Sequence, residues 1–358
     1  MKLRATKYLL LCAMVSVVPL IGVPAQSADS VDLAKLKRSI DHFAALLSHY
    51  HDAGSAAWDC LAAVSAKSVA PQITKAKMTA AADYLVETGT QGGAGRVGWG
   101  YDQTIVGKGC KASGELSTFS HAICNPAQTH YAFESGLAIT CLARAYEVTR
   151  NQSYLATAKQ AMHAWSDLGS NAKDCPTCFT YWYSDQSGDR GRYVRNSNVL
   201  MGMANAWLFH ATGENGYRDR AQAVANAERR ELAAGNYGYF GIDDERYAKD
   251  PQGESQRIEN HVPYVAKGLF DIGRVLKDPQ ITNASATAMR AWMACDNARC
   301  RSRDCQVWAA QPGQCQMNVT LAPCFLSSLG SPFRQYCVQA ADNVAVFSNY
   351  QIWALLDH

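Results

Sequence analysis

The sequence predicts an all-α fold, an (α/α) toroid of roughly five or six helical hairpins with long loops at one mouth and disulfide bonds holding it. Three observations predict it. Apolar residues recur at helical spacing along several stretches, a helix-turn-helix unit recurs at a shift of 63 residues, and glycine- and aromatic-rich connections separate the helices.

The chain begins with Lys2, Arg4 and Lys7, an apolar run from Tyr8 to Val23, and small residues from Pro24 to Ala28. This is the pattern of a secretory signal peptide, residues 1–28, and it implies a secreted or periplasmic protein. No later stretch is apolar over the length a membrane span requires. Residues 29–358 then read as one toroid domain with a cysteine-rich segment at 295–337.

Val31 to Tyr50 places Leu33, Leu36, Ile40, Phe43, Leu46 and Leu47 on one helical face, and Thr74 to Glu87 continues in kind up to Gly89. Residues 89–126 are glycine-rich and read as a long loop or short hairpins. From Ala127 the unit appears twice: Leu137 to Tyr146, Thr149, then Tyr154 to Trp165; and Leu200 to Phe209, Thr212, then Tyr217 to Ala233. A looser third copy runs from Val265 through Pro279 to Trp292, and Gln335 to Leu356 supplies a last helix. Such hairpins bury their apolar faces only by stacking on neighbours.

The leader holds three of the 34 Lys and Arg and none of the 31 Asp and Glu, so the mature chain is formally neutral. That removes the basic surface on which nucleic-acid binding rests. Of 13 cysteines, Cys12 leaves with the leader, and the remaining even number in an exported chain favours disulfides over metal. Cys175-Pro-Thr-Cys178 reads as a local disulfide, and the spacing of Cys295, Cys300, Cys305, Cys315, Cys324 and Cys337 matches a disulfide knot better than paired zinc modules. No metal or cofactor is expected, and nucleophile-elbow and P-loop motifs are absent.

The segment Ala143-Arg-Ala-Tyr146-Glu-Val-Thr149-Arg-Asn-Gln-Ser-Tyr154-Leu155-Ala-Thr-Ala158 resembles the hairpin turn of helical-toroid carbohydrate enzymes. It is similar to the C-terminal domain of D-glucuronyl C5-epimerases and to helical glycosidases and polysaccharide lyases. The resemblance covers about two hairpins and implies a polysaccharide or oligosaccharide substrate without fixing the reaction.

Three polar and aromatic segments open the inferred inner helices: Gln128 to Glu134, Tyr193 to Asn198, and Glu259 to Tyr264. If those helices run parallel, His130, Glu134, Arg195, Asn198, Asn260, His261 and Tyr264 converge at one mouth. Taken singly, each segment reads as helix capping rather than catalysis, and it is the three together that point to a site. The loops add Trp99, Tyr101, Asp102, Trp182, Tyr183, Arg190, Tyr237, Tyr239, Asp243 and Asp244, rings and polar groups of the kind that line sugar clefts. Phe240 and Tyr181 read as packing.

Two chemistries fit. In a lyase that cleaves a uronate-containing glycan by β-elimination, His261 or Tyr264 takes the proton beside the carboxylate, which Arg195 or Asn260 neutralises, with His130 nearby. Asn260-His261 and Tyr264 resemble the Asn-His-x-Tyr segment of helical alginate lyases, although two residues, Val262 and Pro263, stand where that family has one. In a glycoside hydrolase, two carboxylates drawn from Asp102, Glu134, Asp185, Asp243 and Asp244 flank the glycosidic bond. A third reading is an exported protein that binds glycan without cutting it. The lyase is the preferred expectation.

Overall fold

The computed structural model describes residues 53–66, 71–89, 97–100, 129–248 and 261–293. The helices expected at 31–50 and 335–356, the segment 295–337, and the candidates Tyr101, Asp102 and Asn260 lie outside the described residues.

Among the described residues four helical hairpins follow one another. Helix α1 (Ala53–Ala66) returns through α2 (Pro71–Gly89), α3 (Ala132–Thr149) through α4 (Gln152–Ala164), α5 (Arg195–Thr212) through α6 (Asn215–Ala233), and α8 (Val262–Leu276) through α9 (Pro279–Met293). A one-turn helix α7 (Glu245–Ala248) and a two-stranded antiparallel hairpin, β1 (Gly169–Ala172) and β2 (Cys175–Tyr181), complete the set. Helices α1, α3, α5 and α8 pack side by side as the inner layer, and each outer helix covers its own inner partner. This alternation makes the inner helices run the same way.

Helix α1 escapes sequence periodicity because it is buried nearly all round: Ala56, Ala57, Cys60, Leu61, Ala62 and Ala63 are all within 1% of full burial. A disulfide between Cys60 and Cys141 ties it to α3 inside the core. The hairpin at 169–181 replaces what reads as loop in the sequence. Asp174 turns it at φ 58°, a disulfide joins Cys175 to Cys178, and Cys178 packs with Ala227 of α6.

The repeat is visible atom by atom. Thr149 and Thr212 each donate to the carbonyl four residues back, Ala145 and Leu208, at 2.7 Å. Each hydroxyl then accepts the N–H two residues on, from Asn151 at 3.2 Å and Glu214 at 3.1 Å. Between them Arg150 (φ 60°) and Gly213 (φ 74°) take the left-handed conformation that ends a helix. Asn151 caps α4 by accepting from Ser153 N at 3.1 Å, a contact of about 1 kcal/mol. The third turn uses Lys277 (φ 57°) and the Asp278 carboxylate instead, which accepts from Gln280 N at 2.8 Å.

The C-terminal ends of the inner helices also gather. The guanidinium groups of Arg144 (α3) and Arg274 (α8) lie 4.5 and 5.3 Å from the ring of Trp207 (α5). Inside α8, Lys267 and Asp271 form a fully buried ion pair at 2.7 Å. Among the described residues no helix is long and apolar enough to cross a membrane.

Candidate active site

The N-terminal turns of α3, α5 and α8 carry the three polar segments, with Tyr131, Val194 and His261 at the N-cap positions. Backbone pairing fixes the loops around them. Tyr131 N donates to Trp99 O at 2.9 Å and Ala132 N to Tyr183 O at 3.1 Å, while Tyr131 bridges to Ser184. One repeat later Arg195 N donates to Tyr239 O at 3.1 Å and Val194 bridges to Phe240. Helices α3 and α5 are thus each clamped to the loop that leads to the next inner helix.

His130 and Asp185 form the most organised pair at this mouth. The imidazole Nδ1 lies 3.1 Å from Asp185 Oδ2, and the Asp185 carboxylate also accepts His130 N at 3.1 Å. Asp185 N returns a bond to His130 O at 3.1 Å. Burial pushes the Asp185 carboxyl up, but its hydrogen bonds from His130 and the imidazole charge outweigh that and hold it below the usual range. The arrangement leaves His130 Nε2 buried and without a hydrogen-bond partner. Gly98 presses on the ring: a Cβ at that position would sit 2.6 Å from His130 Cγ. An imidazole fixed through Nδ1 with Nε2 unengaged is arranged to accept or deliver a proton there.

At the same N-terminal ends, side chains from three inner helices and one loop form an aromatic surface. Tyr264 (α8) contacts Trp58 (α1) and Phe133 (α3) with ring centroids 5.7 and 5.6 Å away, and Trp58 meets Phe133 at 6.4 Å. His261 stands 5.8 Å from Tyr264 and 5.3 Å from Tyr239. All five are only partly buried, so the surface is accessible. Trp58 and Phe133 are absent from the residues singled out in the sequence. Trp58 carries one signal, being the sole aromatic of an alanine-rich helix.

Arg195, expected to face a substrate carboxylate, points the other way. It is 1% exposed. Its Nε pairs with Glu228 of α6 at 3.1 Å, and its Nη1 donates to the carbonyls of Asn236 at 2.6 Å and Gly238 at 3.4 Å. Burial drives the Glu228 carboxyl up to about 7, with Arg195 opposing and Glu231 adding to the rise. Asn198 serves the same cluster, donating to Glu228 at 3.1 Å and accepting Tyr181 N at 2.9 Å. Glu231 completes it by accepting from Tyr193 Oη, Asn236 and Ile242 N. This cluster holds the Asn236 to Phe240 loop that presents Tyr237 and Tyr239.

Other expected residues serve packing. Trp99 is buried and donates its indole N–H to Leu85 O at 3.1 Å, against Gly89. Tyr183 is buried against the edge of Tyr131. Asp243 is bound by Arg230 at 2.6 and 3.2 Å and by Lys173 N, and Asp244, 1% exposed, accepts Tyr193 N at 3.0 Å. Glu134 is buried in the first turn of α3. Trp182 is half-buried beneath Arg190, whose guanidinium lies 5.7 Å from its ring, and Tyr237 is half-buried against the core. Tyr181 and Phe240 are buried. Among the described residues no three His, Cys, Asp or Glu side chains are grouped to hold a metal ion.

No protein-family model matches the chain, and a search of the curated proteins finds no match. Solved structures do match. A cellobiose 2-epimerase from Spirochaeta thermophila gives a TM-score of 0.51 at 13% identity, over 82% of this chain and 73% of that one. A family 76 glycoside hydrolase from a bovine Bacteroides thetaiotaomicron strain gives 0.51 at 12% identity, over 81% and 59%. The chain has an (α/α)-toroid fold. A cellobiose 2-epimerase from Bacillus thermoamylovorans gives 0.47 at 14% identity, over 67% and 60%, so the chain spans about three fifths of the length of these last two. At such identities the likeness is one of fold.

Proposed function

We propose that this chain is an exported carbohydrate-active enzyme that receives a sugar unit over Trp58, Phe133, Tyr239, His261 and Tyr264 and moves a proton through His130. The observation that carries the reading is the His130–Asp185 pair with Nε2 unengaged. Partly exposed rings beside a fixed acid-base group are what a sugar cleft requires. The toroid is shared with a cellobiose 2-epimerase and a family 76 glycoside hydrolase, both named for carbohydrate chemistry. The leader-like start and the disulfides agree with export.

The reaction favoured is β-elimination in a uronate-containing glycan. Neutral His130 takes the proton from the carbon beside the carboxylate, and Asp185 stabilises the imidazolium that forms. The C–H electrons become a C=C bond as the neighbouring glycosidic C–O bond breaks, and the leaving oxygen receives the proton that the His130 imidazolium carries, which restores the neutral base. Of the carboxylates a hydrolase would draw on, Asp185 is hydrogen-bonded to His130, Asp243 is paired with Arg230, Asp244 accepts Tyr193 N, Glu134 lies in the first turn of α3, and Asp102 lies outside the described residues. Arg195 is assigned a structural role, so among the described residues His261 is the group left at the mouth to meet the substrate carboxylate, with Tyr264 as part of the ring surface.

Incubating the mature protein with uronate glycans and following absorbance at about 230 nm, where unsaturated uronates absorb, tests this. A rise supports elimination. New reducing ends on neutral glycans without that rise favour the hydrolase, and retained glycan affinity with neither signal favours a binding protein.

A further inference from the structure

A second polar depression lies between the outer helices α4 and α6, and nothing in the mechanism above uses it. Its wall is built by the β-hairpin. Gly169 of β1 leaves room for the Phe179 ring, which a Cβ there would meet at 2.5 Å. The ring in turn carries the guanidinium of Arg220 on its face, 3.5 Å from the centroid. The hairpin is pinned to α6 by Asn226 Nδ2, which donates to Thr177 O at 3.2 Å. Tyr181 Oη, accepting from Asn205 at 2.9 Å, forms the floor. The resulting groove, about 260 Å³, runs between α4 and α6 with Tyr217, Glu214 and His163 at its sides.

Arg220 is the unusual member. Its Nη1 is buried and without a hydrogen-bond partner, and among the described residues no carboxylate lies within ion-pair distance of it. Glu214, which shares the groove, is instead engaged by Lys159 at 2.6 Å. A guanidinium nitrogen buried with its donor idle is costly unless an acceptor completes it, and an anion does so best. The rings of Phe179, Tyr181 and Tyr217 around it add apolar walls, and the volume is smaller than a drug-sized site, suited to one sugar ring.

We infer that this groove is a binding site for a single carboxylate-bearing sugar unit, with Arg220 holding the carboxylate and Tyr217 facing the ring hydroxyls. The choice of a sugar rests on the carbohydrate reading of the mouth; the choice of an anion rests on Arg220 alone. His130 does not line the groove, so the site retains acidic glycan rather than reacting with it.

The test is calorimetric titration of the full-length mature protein with D-glucuronate, its methyl ester, D-glucose and acetate. Glucuronate binding that weakens by about tenfold or more with the ester or with Arg220→Gln, and that persists in His130→Ala, supports the site. Arg220→Lys should restore part of it. If Arg220→Gln fails to fold, Tyr217→Trp, which fills the groove and leaves the guanidinium in place, must abolish binding instead. Equal affinity for glucuronate in the Arg220→Gln protein, or equal affinity for the ester, overturns the anion site. Acetate binding as tightly as glucuronate overturns the sugar. Because the readout is affinity in variants of the groove, failure here leaves the His130 reading standing, and loss of turnover in His130→Ala leaves the groove standing.

Discussion

Asp185 holds His130 at both ends of the residue, its carboxylate on the imidazole Nδ1 and on the backbone N–H, and its own N–H on the His130 carbonyl. The imidazole is therefore fixed in position and in tautomer, with a proton on Nδ1 whenever the ring is neutral. Asp185→Asn keeps the shape but lets the amide favour the opposite tautomer. Turnover is expected to fall by about 10²- to 10⁴-fold with KM nearly unchanged, measured by steady-state kinetics on the wild-type substrate.

The same pair has a pH signature in stability. Because the Asp185 carboxyl titrates below its ordinary 3.8, its contribution is present above that value and is lost as pH falls through the lower folded one. Thermal unfolding between about pH 2 and pH 5 should show a slope that flattens in Asp185→Asn.

Gly98 gives a test that leaves both partners intact. A Cβ there meets the His130 ring, so Gly98→Ala must tilt the imidazole or move the backbone. The expected outcome is a loss of turnover of about tenfold or more, with a stability change of about 1–3 kcal/mol by chemical denaturation.

Arg195 separates a packing role from a catalytic one. Arg195→Met strands Glu228 in the core and releases the carbonyls of Asn236 and Gly238, so a loss of about 3–5 kcal/mol in unfolding free energy is expected. A residue that neutralised the substrate carboxylate would instead lower turnover and leave the fold at full stability. Glu228 itself sets a second slope. Its carboxyl titrates at about 7 rather than 4.5, so its contribution is full below the lower value and is lost as pH rises through the higher. Stability should decline from about pH 5 to about pH 8, and less steeply in Glu228→Gln.

Tyr264 distinguishes a ring surface from a base. As a platform between Trp58 and Phe133 it works equally well as Phe, so Tyr264→Phe should keep turnover within about threefold, while Tyr264→Ala raises KM. A phenolate base at this position would lose turnover in both variants.

What the sequence made legible was local. Thr149 and Thr212 announce their turns because the same hydroxyl bonds recur at the same offsets, and Gly89 ends α2 where it was expected. Helix α1 was hidden because periodicity needs a solvent face and this helix has almost none. The mouth was legible as three segments but the direction of each side chain was not. Arg195 turns outward to Glu228, 33 residues on and on another helix, a pairing that no spacing rule encodes. Asp185 was recognisable as a carboxylate, yet its partner His130 lies 55 residues earlier and meets it only because Tyr131 pairs with Ser184. Trp58 reaches the site from a helix that the pattern did not reveal.

The measurement that bears most directly on the central claim is the initial rate of His130→Ala against wild type on a uronate glycan, read at about 230 nm with the fold checked by circular dichroism. With His130 moving the proton, the variant folds and its kcat falls by about 10²-fold or more. A folded variant whose kcat stays within about threefold of wild type would contradict the account.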